Sequence, residues 1–341
     1  MKTAVYYNNR DIRIRHAQKP AIKADEVLLK VASSGICGTD VIEWYRIHKA
    51  PLVLGHEVSG VIDKVGRKVK GFKKGQRVAV SHHVPCQKCY YCKNGHETAC
   101  ETIRSTNFYP GGFAQFIRVP KINVEKGVYK IPKNVSFDEA TFTEPLACVL
   151  RGQRNAKIEK KDTVLVLGSG ISGLLHIKLL KAKKVKKIFA TDISEKRLKF
   201  AKKFGADFTI LADKFKPDFV RKNNNGRLAD KVVLCTGKAS AIKQGFSSIE
   251  RGGAILFFAC TDKDVIVPLS INDVFWRNDI TFTTSYAGSP SDHRQALKLI
   301  GSGRVRVKDM VTHVLPLEKA KHGFYLVQKG NDSVKVILRP N

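Results

Sequence analysis

The sequence predicts two domains of different architecture: a small barrel-like β domain, and an α/β domain whose sheet is parallel and doubly wound. Residues 1 to about 130 contain short alternating apolar runs separated by glycine, a pattern typical of β-strands and turns. From about residue 147 onward, strand-like apolar runs alternate with helical segments, as they do in parallel sheets. The chain has 341 residues, of which 43% are hydrophobic, so it is long enough to fill two cores.

Three apolar runs in the first segment predict strands, at residues 26–31, 60–65 and 76–80. Their alternation of apolar and polar residues is typical of strands with one buried face. Glycines between the runs mark turns. We therefore expect an all-β first segment, interrupted by a cysteine-rich lobe at about residues 84–102.

A candidate catalytic metal site is centred on the stretch LVLGHEVSG, which places His56 beside Glu57. Upstream, the stretch ICGTD supplies the thiol of Cys37 and the hydroxyl of Thr39, and far downstream Glu144 supplies a carboxylate. Zinc accepts such a mixture of S, N and O donors, and a catalytic zinc keeps one position open. A His beside a Glu is more often a surface pair or a hydrogen-bonded core histidine. The interpretation of this pair as metal ligands therefore depends on the other motifs.

Four clustered cysteines predict a second metal site. Their spacing, C-x2-C-x2-C-x7-C, lets two close turns hold three thiolates while a returning segment supplies the fourth. Four protein ligands leave no open position, so such a zinc would stabilise the lobe rather than take part in the chemistry. An iron–sulfur cluster is the chemical alternative. The ligands of this predicted structural zinc are Cys86, Cys89, Cys92 and Cys100.

A glycine-rich turn, GSGISG, follows the strand predicted at residues 161–167 and opens the helix predicted at 174–181. Such glycines permit a tight turn and close approach of the backbone to a pyrophosphate, which then lies at the positive end of the helix. Asp192, at the end of the next strand, can accept hydrogen bonds from the adenosine ribose and repel a 2′-phosphate, which favours NAD over NADP. The residues predicted to bind this cofactor are Gly168, Gly170, Ile171, Ser172, Gly173, Asp192, Arg197, Thr236 and Gly237.

The chain is strongly basic, with 61 Lys and Arg against 30 Asp and Glu, a formal net charge of +31. A zinc-containing nucleic-acid-binding protein is therefore a competing hypothesis. The basic residues are spread along the whole chain, however, and a solvated surface explains them better. We expect no nucleic-acid partner. The sequence contains no run of eighteen apolar residues and begins directly with strand-like sequence, so we expect no membrane association and a cytoplasmic location.

Taken in order, the motifs CGTD and GHE, the four-cysteine lobe and the Glu144-Pro145 pair resemble zinc-dependent medium-chain alcohol dehydrogenases. Within this family, the sequence more specifically resembles the sorbitol (L-iditol) and threonine dehydrogenase branch, in which the later zinc-associated residue lies in a Glu-Pro motif. It extends to residues 311–318 and covers essentially the whole chain.

The resemblance implies a GroES-like β-barrel catalytic domain at residues 1–146 and 286–341, and a Rossmann cofactor domain at 147–285. It also implies that the returning chain forms a helix at 292–301 and a closing strand at 333–338. A homodimer or homotetramer is expected.

The activity implied by the resemblance is reversible hydride transfer between a secondary alcohol, such as a polyol, and NAD, with two zinc ions per chain. Cys37 and His56 would bind the catalytic zinc, Glu57 and Glu144 would complete its shell directly or through water, and Thr39 would take the alcohol proton. A phosphorylated polyol or an amino-alcohol is an alternative substrate. A zinc-independent reductase of this fold would lack Cys37 and the cysteine lobe, and a member that has lost catalysis is a further alternative.

Two departures from the family pattern affect the expected mechanism. Ile42 occupies the position where related enzymes often carry a proton-relay histidine, so we assign no relay histidine. The proton would leave through the cofactor ribose and water, or through another group such as His48. Ser285 precedes Tyr286 where polyol dehydrogenases often show Arg-Tyr, which weakens the prediction of sorbitol itself. Trp44, Phe108 and Tyr286 are candidate walls of the substrate pocket, although core packing explains each aromatic residue equally well.

Overall fold

The computed structural model describes residues 1–330 and 333–341, which form two compact units: Met1–Ala147 with Ala287–Asn341, and Cys148–Tyr286. The strands are β1 (Lys2–Asn8), β2 (Asp11–His16), β3 (Val27–Gly35), β4 (Leu52–Val53), β5 (Glu57–Val65), β6 (Arg77–Ser81), β7 (Phe116–Val119), β8 (Val128–Lys130), β9 (Thr163–Leu167), β10 (Lys187–Asp192), β11 (Phe208–Leu211), β12 (Ala229–Leu234), β13 (Ile249–Phe257), β14 (Thr281–Thr284), β15 (Val311–Pro316) and β16 (Lys335–Arg339). The α-helices are α1 (Glu43–Arg46), α2 (Tyr90–Lys93), α3 (Glu101–Ser105), α4 (Lys121–Gly127), α5 (Phe137–Ala140), α6 (Thr143–Asn155), α7 (Ile171–Ala182), α8 (Glu195–Phe204), α9 (Pro217–Asn223), α10 (Ala239–Ser248), α11 (Ile271–Phe275), α12 (Pro290–Gly301) and α13 (Ala320–Lys329).

The first unit is built on a sheet in the order β15-β16-β3-β5-β6-β8, with β7 also paired to β3. Its inner face is formed by alternate residues of the strands, among them Val27, Leu29 and Val31 of β3 and Ile62 of β5, all buried in one cluster. This alternation is the period of two expected for strands with one face in a core. A smaller sheet in the order β2-β1-β4 packs over a second apolar cluster.

The pairing of β3 with β5 determines where the candidate metal ligands lie. The two strands are antiparallel and place Gly35 opposite Glu57. Cys37 follows the end of β3 and His56 precedes the start of β5, so the pairing brings the two residues to the same end of the sheet. On the other side of β3, β16 pairs with Ile337 opposite Gly35.

The second unit contains a six-stranded parallel sheet in the order β11-β10-β9-β12-β13-β14. Counted from β9, this order is 3-2-1-4-5-6, that of a doubly wound dinucleotide-binding sheet. The order reverses between β9 and β12, where ligands of such sheets bind beyond the carboxyl ends of the strands. All five residues of β9 are buried, which explains its uninterrupted apolar sequence.

The predicted β-barrel and doubly wound fold class is confirmed. The first segment also contains short helices that apolar alternation did not predict, including α2 in the cysteine lobe and α4 after Pro120. They arise from local turn geometry, which a strand-period pattern does not register. Over residues 1–330 and 333–341, the helices lack the length and apolar character needed to span a bilayer.

Candidate active site and metal centres

Three of the predicted catalytic ligands lie together beyond the paired ends of β3 and β5. One donor atom from each of Cys37, His56 and Glu57 falls within 4.8 Å of the other two. Cys37 and His56 are partly accessible, whereas Glu57 is buried. A thiolate, an imidazole and a carboxylate at this spacing form a donor set that suits zinc, with room for a further ligand.

Asp40 orients two of these residues, a role that the sequence analysis did not assign to it. One carboxylate oxygen, Oδ1, lies 3.4 Å from His56 Nδ1, and the other, Oδ2, accepts a hydrogen bond of 3.0 Å from the Cys37 amide. Metal-binding histidines usually bond their second nitrogen to such a carboxylate, and here this leaves Nε2 of His56 for an ion. The signal in the sequence was the position of Asp40 three residues after the cysteine, where it closes a capping box.

In the metal-free chain, the charges of His56 and Asp40 strongly affect each other. Burial lowers the pKa of His56, but attraction to Asp40 and Cys37 outweighs burial and raises it well above its usual value. Burial likewise raises the pKa of Asp40, yet His56 and Arg46 hold it below the ordinary value. An incoming metal ion therefore competes with a proton on His56, as metal ligands generally do.

Lys335 also contacts the candidate site, and the sequence analysis did not identify it. Its ammonium group pairs with the Glu57 carboxylate, and both side chains are only 1% exposed. The ammonium also lies 3.5 Å from the Ile36 carbonyl oxygen and 5.5 Å from the centre of the Phe142 ring. A Cβ at Gly35 would overlap both members of the pair. The signal in the sequence was a single lysine within the apolar run VKVIL.

Thr39 lies on an exposed turn two residues after Cys37. Arg46 holds it in place: Nε donates to the Thr39 carbonyl at 3.0 Å, and Nη2 donates to the Thr39 hydroxyl at 3.4 Å. The same guanidinium lies 3.7 Å from Asp40. Arg46 therefore links the predicted proton acceptor to the residue that orients the ligands.

Glu144, the fourth predicted ligand, lies in the first turn of α6 and is partly buried. It is not a member of the 4.8 Å cluster found among the described residues. Its assignment as a ligand, direct or through water, stays a prediction.

Two consecutive histidines, His82 and His83, lie beside the candidate site. The His82 ring lies 4.8 Å from the His56 ring, 3.7 Å from His83 and 6.4 Å from Phe108. Burial and the neighbouring positive groups lower the pKa of His82 well below its usual value and that of His83 to about 4, so both rings are neutral near pH 7. Sequence analysis did not assign a role to either.

The three aromatic pocket candidates occupy different environments. Phe108 is 2% exposed and packs in the core of the β domain, while its ring edge contacts His82. Trp44 and Tyr286 are 40% and 59% exposed. The position of Phe108 agrees with the core-packing interpretation, and a substrate contact for any of the three stays a prediction.

The four cysteines of the lobe form the second candidate metal centre, with all four sulfur atoms within 4.8 Å of one another. The Cys89–Cys92 and Cys86–Cys92 sulfur separations are 3.5 and 4.0 Å. Zn–S bonds of about 2.3 Å in a tetrahedron place sulfur atoms about 3.8 Å apart, whereas a disulfide requires about 2 Å. Within the described residues, none of the eight cysteines forms a disulfide.

Backbone amides in the lobe stabilise the thiolate form of a cysteine. The amides of Lys88 and Cys89 both donate to Cys86 Sγ, at 3.5 and 3.3 Å. The hydrogen bond from Lys88 is the main reason that the pKa of Cys86 falls to about 6, whereas burial raises that of Cys92 to about 12. An ion that draws all four thiols into the thiolate form would complete this arrangement.

The glycine-rich turn of the second unit has the geometry of a phosphate cradle. Gly168 has a φ of 93°, Gly170 precedes the first turn of α7, and a Cβ at Gly173 would overlap the Gly168 carbonyl oxygen. Ile171 and Ser172 begin the helix, whose free amides face the turn. Thr236 lies against Gly168 at the switch point of the sheet, beside Gly237.

Asp192 ends β10 beside this turn. Its Oδ2 accepts a hydrogen bond of 2.7 Å from the Ser169 amide, and its Oδ1 accepts one of 2.9 Å from the Ser194 amide. The Arg197 guanidinium lies 3.7 Å from the same carboxylate. The structure thus brings the acidic residue and the glycine turn together, as expected for a ribose–pyrophosphate site.

Two family models match the chain: an alcohol dehydrogenase GroES-like domain at residues 23–133, and a zinc-binding dehydrogenase at residues 172–302. The chain belongs to the zinc-dependent medium-chain dehydrogenase family. This dehydrogenase is 33% identical to sorbitol dehydrogenase of Mus musculus over 341 residues, covering 96% of this chain and 93% of the relative. It is 35% identical to a probable D-xylulose reductase A of Neosartorya fischeri over 326 residues, covering 92% and 89%.

Among solved structures, galactitol-1-phosphate dehydrogenase from Escherichia coli superposes on this dehydrogenase with a TM-score of 0.87. The match covers 100% of both chains at 26% identity. The predicted family and enzyme class are confirmed: the chain is a zinc-dependent oxidoreductase, a family that uses a nicotinamide cofactor. These relatives do not favour a nucleic-acid-binding protein.

We expect Lys335→Met to lower the free energy of unfolding of the zinc-free dehydrogenase by about 3–5 kcal/mol, because Glu57 would be left as an unpaired buried charge. Urea denaturation after chelation measures this. The double variant Glu57→Gln/Lys335→Met should recover at least half of the loss, since neither buried charge remains. Lys2→Met, which breaks an exposed pair with Glu318, is the control and should have almost no effect. A double variant as unstable as the sum of its single variants would show that the pair is not coupled.

Proposed function

We propose that this dehydrogenase oxidises a polyol reversibly with NAD, at a zinc ion held by Cys37 and His56 with Glu57 or Glu144. The observation that carries the proposal is the cluster of thiol, imidazole and carboxylate beyond β3 and β5, oriented by Asp40. The three relatives described above are named for sorbitol, D-xylulose and galactitol 1-phosphate. All three compounds carry hydroxyl groups on adjacent carbons, which supports a polyol as the substrate class.

When bound, zinc would act as a Lewis acid on the substrate oxygen while the nicotinamide accepts the hydride. The protein itself holds and orients the zinc ligands. Asp40 fixes the His56 ring and the Cys37 backbone, so two ligands are in place before an ion arrives. Lys335 balances the buried charge of Glu57, and this carboxylate would remain available as one of the two candidate glutamate ligands of a zinc ion.

Thr39 is the residue that we propose takes the alcohol proton. Its hydroxyl accepts a hydrogen bond from Arg46, which leaves a lone pair and the hydroxyl proton for a relay. Since the side chain at position 42 is isoleucine, the proton would pass from this exposed threonine to water or to the cofactor ribose.

NAD is the proposed cofactor. Each Asp192 oxygen accepts one backbone hydrogen bond and retains capacity for a ribose hydroxyl, whereas a 2′-phosphate would meet its negative charge. Arg197 lies close enough to Asp192 to moderate this preference, so the selectivity for NAD should be moderate rather than absolute.

The second zinc, on the four cysteines, would be structural because those ligands fill its shell. A cytoplasmic location stays a prediction from the sequence.

A phosphorylated polyol is the second candidate substrate. Arg46 lies beside Thr39, and the Lys49 ammonium packs 5.0 Å from the Tyr45 ring in the same segment. These two cations are positioned to attract a phosphate near the candidate site.

The proposed function is tested by a screen for NAD reduction with sorbitol, xylitol, galactitol 1-phosphate and 2-butanol. We expect turnover of at least one polyol, and a loss of about a thousandfold, roughly 4 kcal/mol, in Cys37→Ser because the Lewis acid is lost. Zinc analysis should give two ions per wild-type chain and one in Cys37→Ser.

Cys89→Ser is the matched control for this experiment. It should also retain one zinc ion, but it should lower thermal stability more than it changes the turnover of the folded enzyme. Full turnover by zinc-free protein would contradict the proposal, and so would a Cys89→Ser variant that is stable yet selectively inactive.

We further propose that two copies associate through a surface on the second unit, the β14 face. Strand β14 is at the edge of its sheet and is paired on one side by β13. Large apolar side chains that are 36–86% exposed lie before this strand, on it and just after it: Val265, Ile266, Ile271, Phe275, Trp276, Phe282 and Tyr286. By usual side-chain areas they expose roughly 800 Å², about what each partner buries in a standard interface. A second copy would cover both the apolar surface and the strand edge.

Phe275→Glu/Trp276→Glu should convert the oligomer to a monomer, because it places charge within the apolar surface. Sedimentation velocity measures this. Tyr325→Glu, at an exposed aromatic residue of the first unit, should leave the oligomeric state unchanged. A wild-type protein that sediments as a monomer at micromolar concentration would contradict this interface.

A further inference from the structure

His82 lies beside the candidate metal centre, and among the described residues none forms a hydrogen bond with its imidazole. Its ring lies 4.8 Å from the ring of His56. Nδ1 is buried without a hydrogen-bond partner, and within residues 1–330 and 333–341 Nε2 also forms no hydrogen bond. The adjacent histidine differs: His83 Nδ1 lies 3.3 Å from the Thr106 carbonyl oxygen. Buried polar atoms in native proteins are nearly always paired, so this unused capacity needs an explanation. The His82 residue is partly accessible, which leaves its ring open to a group bound beside His56.

The His82 ring is held in a fixed position. Asn123, fully buried in α4, donates to the His82 carbonyl oxygen at 2.9 Å and to the Ser81 carbonyl oxygen at 3.0 Å. The rings of Phe108 and His83 pack beside the His82 ring itself, at 6.4 and 3.7 Å between ring centres. A side chain held by packing and by its own backbone contacts can present a hydrogen-bonding atom at a defined place.

The placement of His82 fits a substrate with more than one oxygen. His56, Cys37 and Glu57 mark where the reacting oxygen would be bound, and His82 packs directly against the first of these. A simple alcohol with an alkyl chain would offer the imidazole no partner. A vicinal diol would offer a second hydroxyl, which can form a hydrogen bond with an imidazole nitrogen.

We propose that His82 is a specificity-determining residue that hydrogen-bonds a second substrate oxygen, on the carbon next to the one that is oxidised. This inference rests on the proposed function and adds to it a reason for selecting polyols. Sites built around a hydrogen bond to the substrate reject analogues that lack the group much more strongly than apolar pockets reject a missing methylene. His82 therefore makes the enzyme select vicinal diols over mono-alcohols of the same skeleton.

The test compares 2,3-butanediol with 2-butanol, which differ by one hydroxyl group. The wild-type enzyme should favour the diol in kcat/KM, and His82→Leu should reduce the diol-to-mono-alcohol ratio at least tenfold. His82→Gln, of similar size but able to hydrogen-bond, should restore part of the ratio. His322→Leu, the same replacement at an exposed histidine of α13, is the control and should leave the ratio unchanged.

A binding measurement separates substrate recognition from turnover. Calorimetric titration of 2,3-butanediol into the enzyme–NADH complex should show at least tenfold weaker binding in His82→Leu, with zinc content unchanged. If the leucine variant does not fold, the same two measurements on His82→Phe decide the outcome.

A ratio and an affinity that change by less than threefold would overturn the proposal for His82 while leaving the proposed function standing. A wild-type preference for 2-butanol would overturn it too. A wild-type enzyme that oxidises neither of these alcohols nor any polyol would instead contradict the proposed function itself. In that case the binding measurement still tests His82: a diol affinity that is the same in wild type and His82→Leu would reject its role.

Discussion

The candidate active site depends on one structural constraint, the antiparallel pairing of β3 with β5 that sets Gly35 opposite Glu57. A one-residue slip in this register would turn every side chain of β5 to the opposite face and move His56 away from Cys37. The register is fixed by apolar residues, such as Leu29 and Ile62, whose burial is lost if the strands shift. The sheet core and the metal ligands are therefore specified by the same pairing.

Around this register, the protein places each buried charge beside an opposite one. Glu57 pairs with Lys335, and Asp40 contacts both His56 and Arg46. Buried ions are tolerated only when they are paired and hydrogen-bonded. The consequence is a ligand set that is ordered before metal binds, with a proton on His56 as the group that an ion must displace. In the four-cysteine lobe, backbone amides that donate to the Cys86 sulfur likewise stabilise a ligand before metal binds.

Local spacing explains what could be predicted from the sequence. The cysteine lobe, the glycine turn with Asp192 and the His56–Glu57 pair are each encoded within a few tens of residues. The four cysteines lie together in the structure, Asp192 lies beside the glycine turn, and Cys37 joins His56 and Glu57, whereas Glu144 is not in that cluster. Lys335 could not be found in this way, because it reaches Glu57 through the pairing of β16 with β3 across 278 residues of sequence. His82 was missed for a different reason: its ring has no hydrogen-bond partner in the part of the chain that the structure describes, and no sequence pattern records such a property. Phe108, a candidate pocket wall, is buried in the core with its ring 6.4 Å from that of His82, and its contact with substrate stays a prediction.

The central claim is that the chain holds two zinc ions of opposite character, one with an open position at Cys37 and His56 and one closed by four thiolates. The most direct measurement is the visible absorption spectrum of the enzyme with cobalt in both sites, since cobalt(II) bands report ligand number and type. On addition of NADH and then a polyol, the bands of the mixed-ligand cobalt should shift, while those of the four-thiolate cobalt stay constant. A spectrum in which neither set responds, or in which the four-thiolate bands change, would contradict the assignment of the open site.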